Sequence, residues 1–311
     1  MVYVILVVGF FLLIKGADYF VDGSSNLAKA LGVPTLIIGL TVVAFGTSAP
    51  ETVVSLIASV KGSNEIAVSN VVGSNIFNLL VVLGVCGIFG GVKAKREVIT
   101  RDFLFSILAS LLLIFIAFDS FFNGDANVVS RGEGFVLLSV FGIYLYSLLL
   151  TANNEKKLKK ERHKFTFKDF LMLTLGLAAI IVGGELTVKC AQKIAISWGV
   201  SETLVGLTIV SIGTSLPELV TSIIAVRKGE TDIAIGNVIG SNIFNILLVL
   251  GISASVSPLT ITNNSIIDAF ILLIASVICY LFTCFRGRVG NKKGFIMVVG
   301  YVAFLIYIIM R

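Results

Sequence analysis

Residues 39–84 read GLTVVAFGTSAPETVVSLIASVKGSNEIAVSNVVGSNIFNLLVVLG, and residues 206–251 read GLTIVSIGTSLPELVTSIIAVRKGETDIAIGNVIGSNIFNILLVLG. The two stretches align without a gap at a constant offset of 167, with 29 identities in 46 positions. Self-similarity at a fixed offset indicates that the chain contains two copies of one structural unit. We expect the copies to extend over 1–152 and 169–311, with the basic segment 153–168 as the linker between them.

The composition places both copies in a membrane. Hydrophobic residues make up 57% of the 311 residues and charged residues only 14%, and the mean hydropathy is +1.03. So few charged groups cannot cover a soluble globule. The apolar segments are about 17–25 residues long, which is the length that a helix needs to cross a bilayer, and they lack the alternation of a barrel. The sequence therefore predicts an all-α polytopic membrane protein.

Ten membrane spans are predicted from these segments. The first of them, MVYVILVVGFFLLIKGADYF, lacks a basic start and a small-residue cleavage site, so we interpret it as a span and not as a signal peptide. The predicted spans are 2–20, 33–60, 66–89, 102–119, 134–152, 169–188, 201–226, 232–256, 265–285 and 294–310.

The distribution of Lys and Arg predicts an orientation in a plasma membrane. With the N-terminus outside, 18 of these residues fall in inside loops and five fall in outside loops, which is the asymmetry that the positive-inside rule requires. The linker 153–168 is then cytoplasmic. The net charge of +6 is explained by this topology. We expect the protein to be surrounded by the lipid bilayer. Neither a nucleic acid nor an obligatory protein partner is indicated.

The number of spans also predicts how the two copies are related. Five spans precede the linker and five follow it. Because five is odd, the second copy enters the membrane from the opposite side, and the two copies form an inverted repeat. Transporters with this architecture place the substrate near the bilayer midplane between discontinuous helices. The arrangement favours a transporter, since an enzyme or a receptor has no evident need for it.

The motifs GTSAPE (46–51) and GTSLPE (213–218) predict one of these helix breaks in each copy. Gly46 and Pro50 both weaken a helix, and the residue before a proline disfavours the α conformation. The carbonyls of residues 44–46 are then expected to lose their partners. An unsatisfied carbonyl in hydrocarbon costs several kcal/mol, so such a break persists only where protein, water or an ion meets it.

A glutamate ends each of these motifs. Ser48 and Glu51 fit a Ser-x-x-Glu capping box, in which Ser48 would cap the second half-helix. Capping does not require a charge, because glutamine serves equally well. A carboxylate inside a membrane normally marks the path of an ion or a proton, and we therefore interpret Glu51 and Glu218 as ion ligands.

The motif GSNIFN, at 73–78 and again at 240–245, adds hydroxyl and amide groups to the same region. Ser74 and Asn78 are four residues apart and share one helix face. For Ser74 and Ser241 a purely structural role in helix packing stays open. The candidate side-chain ligands are Glu51, Glu218, Asn78, Asn245, Thr47, Ser48, Ser74, Thr214, Ser215 and Ser241.

Every candidate ligand binds through oxygen. Oxygen donors suit hard cations such as calcium and sodium, whereas neither motif contains the His or Cys that zinc and copper prefer. Two carboxylates neutralise one divalent cation or two monovalent ones, which leaves a bound complex of low charge in a low-dielectric core.

At these motifs the chain resembles the calcium/cation antiporter superfamily, and specifically the sodium/calcium exchanger branch of prokaryotic type. Both pairs of motifs are similar to the paired α-repeats of that family. The resemblance implies counter-transport of sodium and calcium by alternating access, with both ions as cargo and with no cofactor. It also implies that backbone carbonyls at the helix breaks bind ions, namely those of Ala44, Thr47, Ser211 and Thr214.

Two departures bear on the coupling ion. Potassium-dependent relatives carry Asp at the end of the second GSNIFN-type motif, where this chain has Asn245. Proton/calcium exchangers typically have a Gly-Asn-Ala-x-Glu type motif, which is absent. A proton- or potassium-coupled calcium antiporter and a passive cation channel are the alternatives to sodium/calcium exchange.

Overall fold

The computed structural model describes residues 1–118, 127–158, 164–199 and 211–311, and these ranges are almost entirely helical. Four strands of two residues each form two small antiparallel pairs, β1 with β4 and β2 with β3. The helices are α1 (Val2–Leu31), α2 (Thr35–Thr47), α3 (Ala49–Val60), α4 (Asn64–Phe89), α5 (Val98–Ala117), α6 (Arg131–Leu158), α7 (Phe167–Ser197), α8 (Ser211–Thr214), α9 (Leu216–Arg227), α10 (Thr231–Val256), α11 (Asn263–Cys284) and α12 (Asn291–Met310), and the strands are β1 (Val92–Lys93), β2 (Val128–Val129), β3 (Leu259–Thr260) and β4 (Arg288–Val289).

These elements confirm the helical membrane fold. Within the described ranges, eight helices are long and apolar enough to cross a bilayer, and α2 with α3 forms a ninth span that bends by 48°. The seventh predicted span, 201–226, begins in residues that lie outside the described ranges, and α8 with α9 covers its remainder.

Two helices are much longer than predicted. The span at 2–20 continues to Leu31 in α1, and the span at 169–188 continues to Ser197 in α7. Hydropathy ended the first span too early because its last turns carry polar side chains. These side chains have partners elsewhere in the chain: Asn26 donates to Asp169 at 2.7 Å, and Ser25 donates to Glu230 at 2.6 Å.

Glycines allow α1 and α7 to pack backbone against backbone. A Cβ at Gly16 would lie 2.8 Å from the carbonyl oxygen of Gly176, and a Cβ at Gly183 would lie 2.7 Å from that of Gly9. Small residues at such a contact let membrane helices approach closely. Gly9 and Gly176 are 167 positions apart, as are Gly16 and Gly183, so each copy contributes equivalent positions to the contact.

The centre of the molecule is formed by α4 and α10, which contain the two GSNIFN motifs. The membrane-spanning windows of these helices are 78% and 94% buried, the largest shares among the spans described. Both helices include π-helical turns, at Asn78–Val82 in α4 and at Phe244–Val249 in α10. Such turns occur often at functional sites, and here they contain Asn78 and Asn245.

Candidate cation-binding site

The two helix breaks meet at the centre of the protein and exchange hydrogen bonds. Ser48 Oγ donates to Glu218 Oε1 at 2.9 Å, and Ser215 Oγ donates to Glu51 Oε1 at 3.0 Å. All four residues are buried. Each serine therefore orients the glutamate of the other copy, and the two carboxylates predicted from the sequence belong to one site.

The capping role predicted for Ser48 is wrong. Ser48 does occupy the position before α3, but its side chain makes no capping hydrogen bond, and the same holds for Ser215 before α9. The hydroxyl proton goes to a carboxylate of the other copy instead. In a cap the serine oxygen would accept from a backbone N–H, whereas here the hydroxyl is oriented by the hydrogen bond that it donates to Glu218 Oε1.

The predicted loss of the Ala44 carbonyl's partner is also wrong. This oxygen accepts a hydrogen bond from the backbone N–H of Ser48 at 3.0 Å and lies 3.4 Å from Thr47 Oγ1. The chain is π-helical at Gly39–Val43 and α-helical again at Ala44–Thr47, and Pro50 lacks only the N–H that would have reached Gly46. In the second copy Ser215 N–H donates to Ile212 O at 3.2 Å. Ion binding by the carbonyls of Ala44 and Ser211 stays a prediction.

Several buried polar atoms at the centre, most of them oxygens, have no hydrogen-bond partner among the described residues. The second carboxylate oxygens of Glu51 and Glu218 are in this state. So are the hydroxyls of Ser74 and Ser241, both amide atoms of Asn78 and the Oδ1 of Asn245. Buried polar atoms without partners are costly and rare in folded proteins. A hard cation satisfies several such oxygens at once, so these residues fit a cation site.

The two motif threonines contact asparagines of the opposite copy. Thr47 Oγ1 lies 2.9 Å from Asn237 Oδ1 and 3.1 Å from the carbonyl oxygen of Val43. Thr214 Oγ1 lies 3.5 Å from Asn70 Oδ1. The Thr47 hydroxyl is thus already engaged within the protein, and ion binding by Thr47 stays a prediction.

Asn70 and Asn237 are site residues that the sequence reasoning missed. Asn70 Nδ2 lies 3.4 Å from the backbone oxygen of Glu51 and 3.0 Å from Ser55 Oγ. Asn237 Nδ2 makes the same two contacts with Glu218 and Ser222, again at 3.4 and 3.0 Å. The signal was available, because both asparagines lie in apolar helices at positions 167 apart and are identical in the two copies.

We expect Asn237→Ala to impair the site strongly. The substitution removes the contact to Thr47 and leaves the Ser222 hydroxyl without its donor, and an unsatisfied buried group costs about 1–3 kcal/mol. Cation exchange should fall by about tenfold or more, and the melting temperature should fall as well. Exchange in proteoliposomes and thermal unfolding in detergent measure the two effects. The control is Asn264→Ala on the exposed start of α11, and equal behaviour of the two variants would contradict the assignment.

Similarity to known proteins identifies the family of this chain. The family model described as sodium/calcium exchanger protein matches residues 1–150 and 168–310. The chain belongs to this family. Among individual sodium/calcium exchangers, MaX1 from Methanosarcina acetivorans is 34% identical over 340 residues, which cover 98% of this chain and 97% of the relative.

Two further similarities agree with this membership. The putative antiporter CaxA from Alkalimonas amylolytica is 36% identical over 315 residues, covering 97% of this chain and 96% of the relative. A solved structure of the sodium-calcium exchanger NCX_Mj superposes with a TM-score of 0.83 at 31% identity, covering 97% of this chain and 98% of that one. The resemblance inferred from the motifs is confirmed, as is the polytopic helical fold. The chain is a multi-pass membrane transporter of the prokaryotic exchanger type and not an enzyme.

Proposed function

We propose that the protein exchanges sodium for calcium across the membrane by alternating access. The observation that carries the proposal is the pair of buried carboxylates at the centre. Glu51 and Glu218 come from different copies, each accepts a hydrogen bond from the other copy's serine, and each keeps one oxygen that no described residue pairs with. An exchanger needs one site that both copies share, because rocking of one repeat against the other about a fixed site is how inverted repeats provide alternating access.

The charge of the site supports calcium and sodium as alternative occupants. Two carboxylates balance one calcium ion or two sodium ions, so either load reduces the net charge to a value that a low-dielectric core tolerates. Calcium binds about 6–8 oxygen ligands in flexible geometry. The proposed ligands are the carboxylates of Glu51 and Glu218, the side chains of Ser48, Ser74, Asn78, Ser215, Ser241 and Asn245, and the carbonyls of Ala44, Thr47, Ser211 and Thr214.

Sodium is favoured as the counter-ion by two facts. MaX1 and NCX_Mj, which resemble this chain over nearly its whole length, are both named as sodium/calcium exchangers. In addition, position 245 is Asn, whereas potassium-dependent relatives carry Asp there. A proton- or potassium-coupled exchanger would share the same carboxylates, so a direct measurement of the coupling ion distinguishes the three cases.

The proposed orientation has the N-terminus outside and the linker 153–168 in the cytoplasm. It is supported by the position of residues assigned to inside loops. Lys29 near the end of α1, Lys168 near the start of α7 and Lys228 after α9 line one polar cleft of about 540 Å³. Three separate parts of the chain with positive charge therefore lie together at one end of the bundle.

Ion flux in sealed vesicles tests this function. Proteoliposomes loaded with sodium should accumulate calcium when diluted into sodium-free medium, and the uptake should stop when the sodium gradient is removed. Parallel vesicles with a potassium gradient or a pH gradient test the other coupling ions. Calcium uptake that is indifferent to all three gradients would indicate a channel and would contradict the proposal.

A further inference from the structure

Two asparagines that are not among the proposed ligands join the central helices. Asn75 in α4 and Asn242 in α10 are both buried and lie 167 positions apart. Asn75 Nδ2 donates to the backbone oxygen of Asn242 at 3.1 Å, and Asn242 Nδ2 donates to that of Asn75 at 3.3 Å. In this respect the two residues are equivalent.

Their side-chain oxygens are not equivalent. Asn75 Oδ1 accepts a hydrogen bond from Asn245 Nδ2 at 3.0 Å. The corresponding bond in the other copy would join Asn242 to Asn78, but Asn242 Oδ1 and both amide atoms of Asn78 have no partner within the ranges that the structure describes. Of the two amides, that of Asn245 is held by a neighbour, and that of Asn78 is held by none of the described residues.

The bond to Asn75 fixes which end of the Asn245 amide remains free. An amide offers an oxygen that accepts and a nitrogen that donates, and a cation is attracted only to the oxygen. Because the nitrogen is used by Asn75, the oxygen of Asn245, which is buried and unpaired, is left for the ion. We infer that Asn75 is a positioning residue, which presents the Asn245 oxygen to the transported cation. The inference rests on the proposed function, in which Asn245 is a ligand.

Paired substitutions test this role. Asn75→Leu removes two hydrogen bonds between α4 and α10, and Asn242→Leu removes one, so both should lower the melting temperature and Asn75→Leu should lower it more. Only Asn75→Leu also releases the Asn245 amide. We expect it to raise the calcium concentration for half-maximal exchange by about tenfold, against less than about threefold for Asn242→Leu. In an Asn245→Leu background, adding Asn75→Leu should have no further effect on this concentration, because coupled residues are not additive.

Equal shifts for Asn75→Leu and Asn242→Leu, or additive shifts in the double variant, would overturn the inference. Wild-type vesicles report separately on the proposed function, since an absence of sodium-driven calcium exchange there refutes the function and not the role of Asn75. In that case the same variants are compared by the rise in melting temperature that sodium or calcium produces.

A second observation concerns ion pairs near the ends of α1 and α7. Lys228, in the turn after α9, contacts Asp18 and Asp22 of α1, with Nζ 2.7 Å from one carboxylate oxygen of each. Its Nζ also donates to the backbone oxygen of Asp18 at 2.7 Å. The Ser25 hydroxyl of α1 donates to Glu230 in the same turn at 2.6 Å. These contacts thus hold the turn between α9 and α10 against α1.

Among the described residues, the corresponding positions of the other copy do not make these ion pairs. The offset of 167 relates Lys228 to Lys61 and Asp18 to Glu185, and the glycines that follow both lysines have positive φ, 75° and 80°. Glu185 instead pairs with Lys189 of its own helix at 2.6 Å. Lys61 forms no ion pair with any residue in the described part of the chain. A cleft of about 430 Å³ between α3 and α7 lies beside Glu185.

The geometry points to two ion pairs that form in turn. Lys228 with Asp18 is formed in this conformation, and Lys61 with Glu185 forms when the cleft between α3 and α7 closes. Partly exposed ion pairs contribute only about 0–1 kcal/mol, so they bias a two-state equilibrium without trapping either state. This inference rests on alternating access as proposed above.

A cysteine at Gln192, which lines the open cleft, reports on this equilibrium. It is introduced after the four native cysteines have been replaced, and the labelling rate with a polar thiol reagent is measured in proteoliposomes. Lys228→Met should slow labelling by about threefold to fivefold, because it removes the contact that favours the open cleft. The matched variant Lys61→Met should not slow it, and Lys61→Glu combined with Glu185→Lys should restore wild-type turnover where each single change reduces it.

If Lys228→Met leaves the labelling rate unchanged, the two ion pairs do not form in turn. The same conclusion follows if Lys228→Met and Lys61→Met slow labelling equally. Labelling in the wild-type background tests the transport mechanism separately from the two ion pairs. If neither sodium nor calcium changes the labelling of Gln192→Cys, the protein does not alternate, and the proposed transport mechanism fails.

Discussion

Glu51→Gln is expected to abolish sodium-driven calcium exchange while the protein stays folded. Glutamine has the shape of glutamate, and its oxygen still accepts the hydrogen bond that Ser215 donates to Glu51 Oε1. What it loses is one of two negative charges that face the ion. A pair of unit charges 4 Å apart interacts by about 4 kcal/mol at an effective dielectric constant of 20, which corresponds to roughly a thousandfold in affinity.

The same result is expected for Glu218→Gln, since the two glutamates have equivalent partners. Calcium uptake into sodium-loaded vesicles measures the loss, and elution from a sizing column with thermal unfolding verifies the fold. Glu65→Gln is the matched control, because this glutamate lies in the same repeat but is exposed and contacts only Thr262 among the described residues. Normal flux in either site variant would refute the assignment of the two carboxylates.

Much of the site could be predicted from the sequence because the two copies are nearly the same. Glu51 and Glu218 are the only charged groups of their motifs, and the constant offset of 167 gives both motifs equivalent places in their copies. The inference that they meet required no knowledge of loop geometry. It required only that an intramembrane carboxylate has a partner or an ion.

The hydrogen bonds within the site could not be predicted in the same way. Ser48 has a backbone N–H three residues away as a plausible partner, but its actual partner, Glu218, is 170 residues distant. A sequence motif indicates only partners that are close along the chain, so it favoured the capping box. The length of α1 was underestimated for a related reason. Asn26 is polar and argues against a membrane helix, but its side chain donates to Asp169, which is distant in the sequence.

Asn245→Asp is expected to make exchange depend on pH or on potassium. In the wild type, Asn245 donates through Nδ2 to Asn75 Oδ1 at 3.0 Å. The Asn75 atom that faces position 245 is Oδ1, which only accepts, and its Nδ2 is turned toward the backbone oxygen of Asn242. An ionised aspartate at position 245 would therefore place two acceptor oxygens against each other, which costs about 1–3 kcal/mol for a buried unsatisfied group.

The ionised form would also give the site three negative charges in place of two. With calcium bound, one charge is left over and must be met by another cation. A proton on the new carboxyl solves both problems, because it restores the donor that Asn75 requires and removes the excess charge. A potassium ion solves only the second.

Initial rates of sodium-driven calcium uptake between pH 6 and pH 8, with and without potassium, distinguish these cases. If a proton is bound, the rate of Asn245→Asp should change by about tenfold more than that of the wild type over this range, as a single titrating group allows. If potassium is bound instead, its addition should raise the rate at the higher pH. Asn264→Asp on the exposed start of α11 controls for added surface charge. Kinetics unchanged by either ion would mean that position 245 does not face the transported cation, and the free oxygen that Asn75 leaves on Asn245 would then have no role in binding.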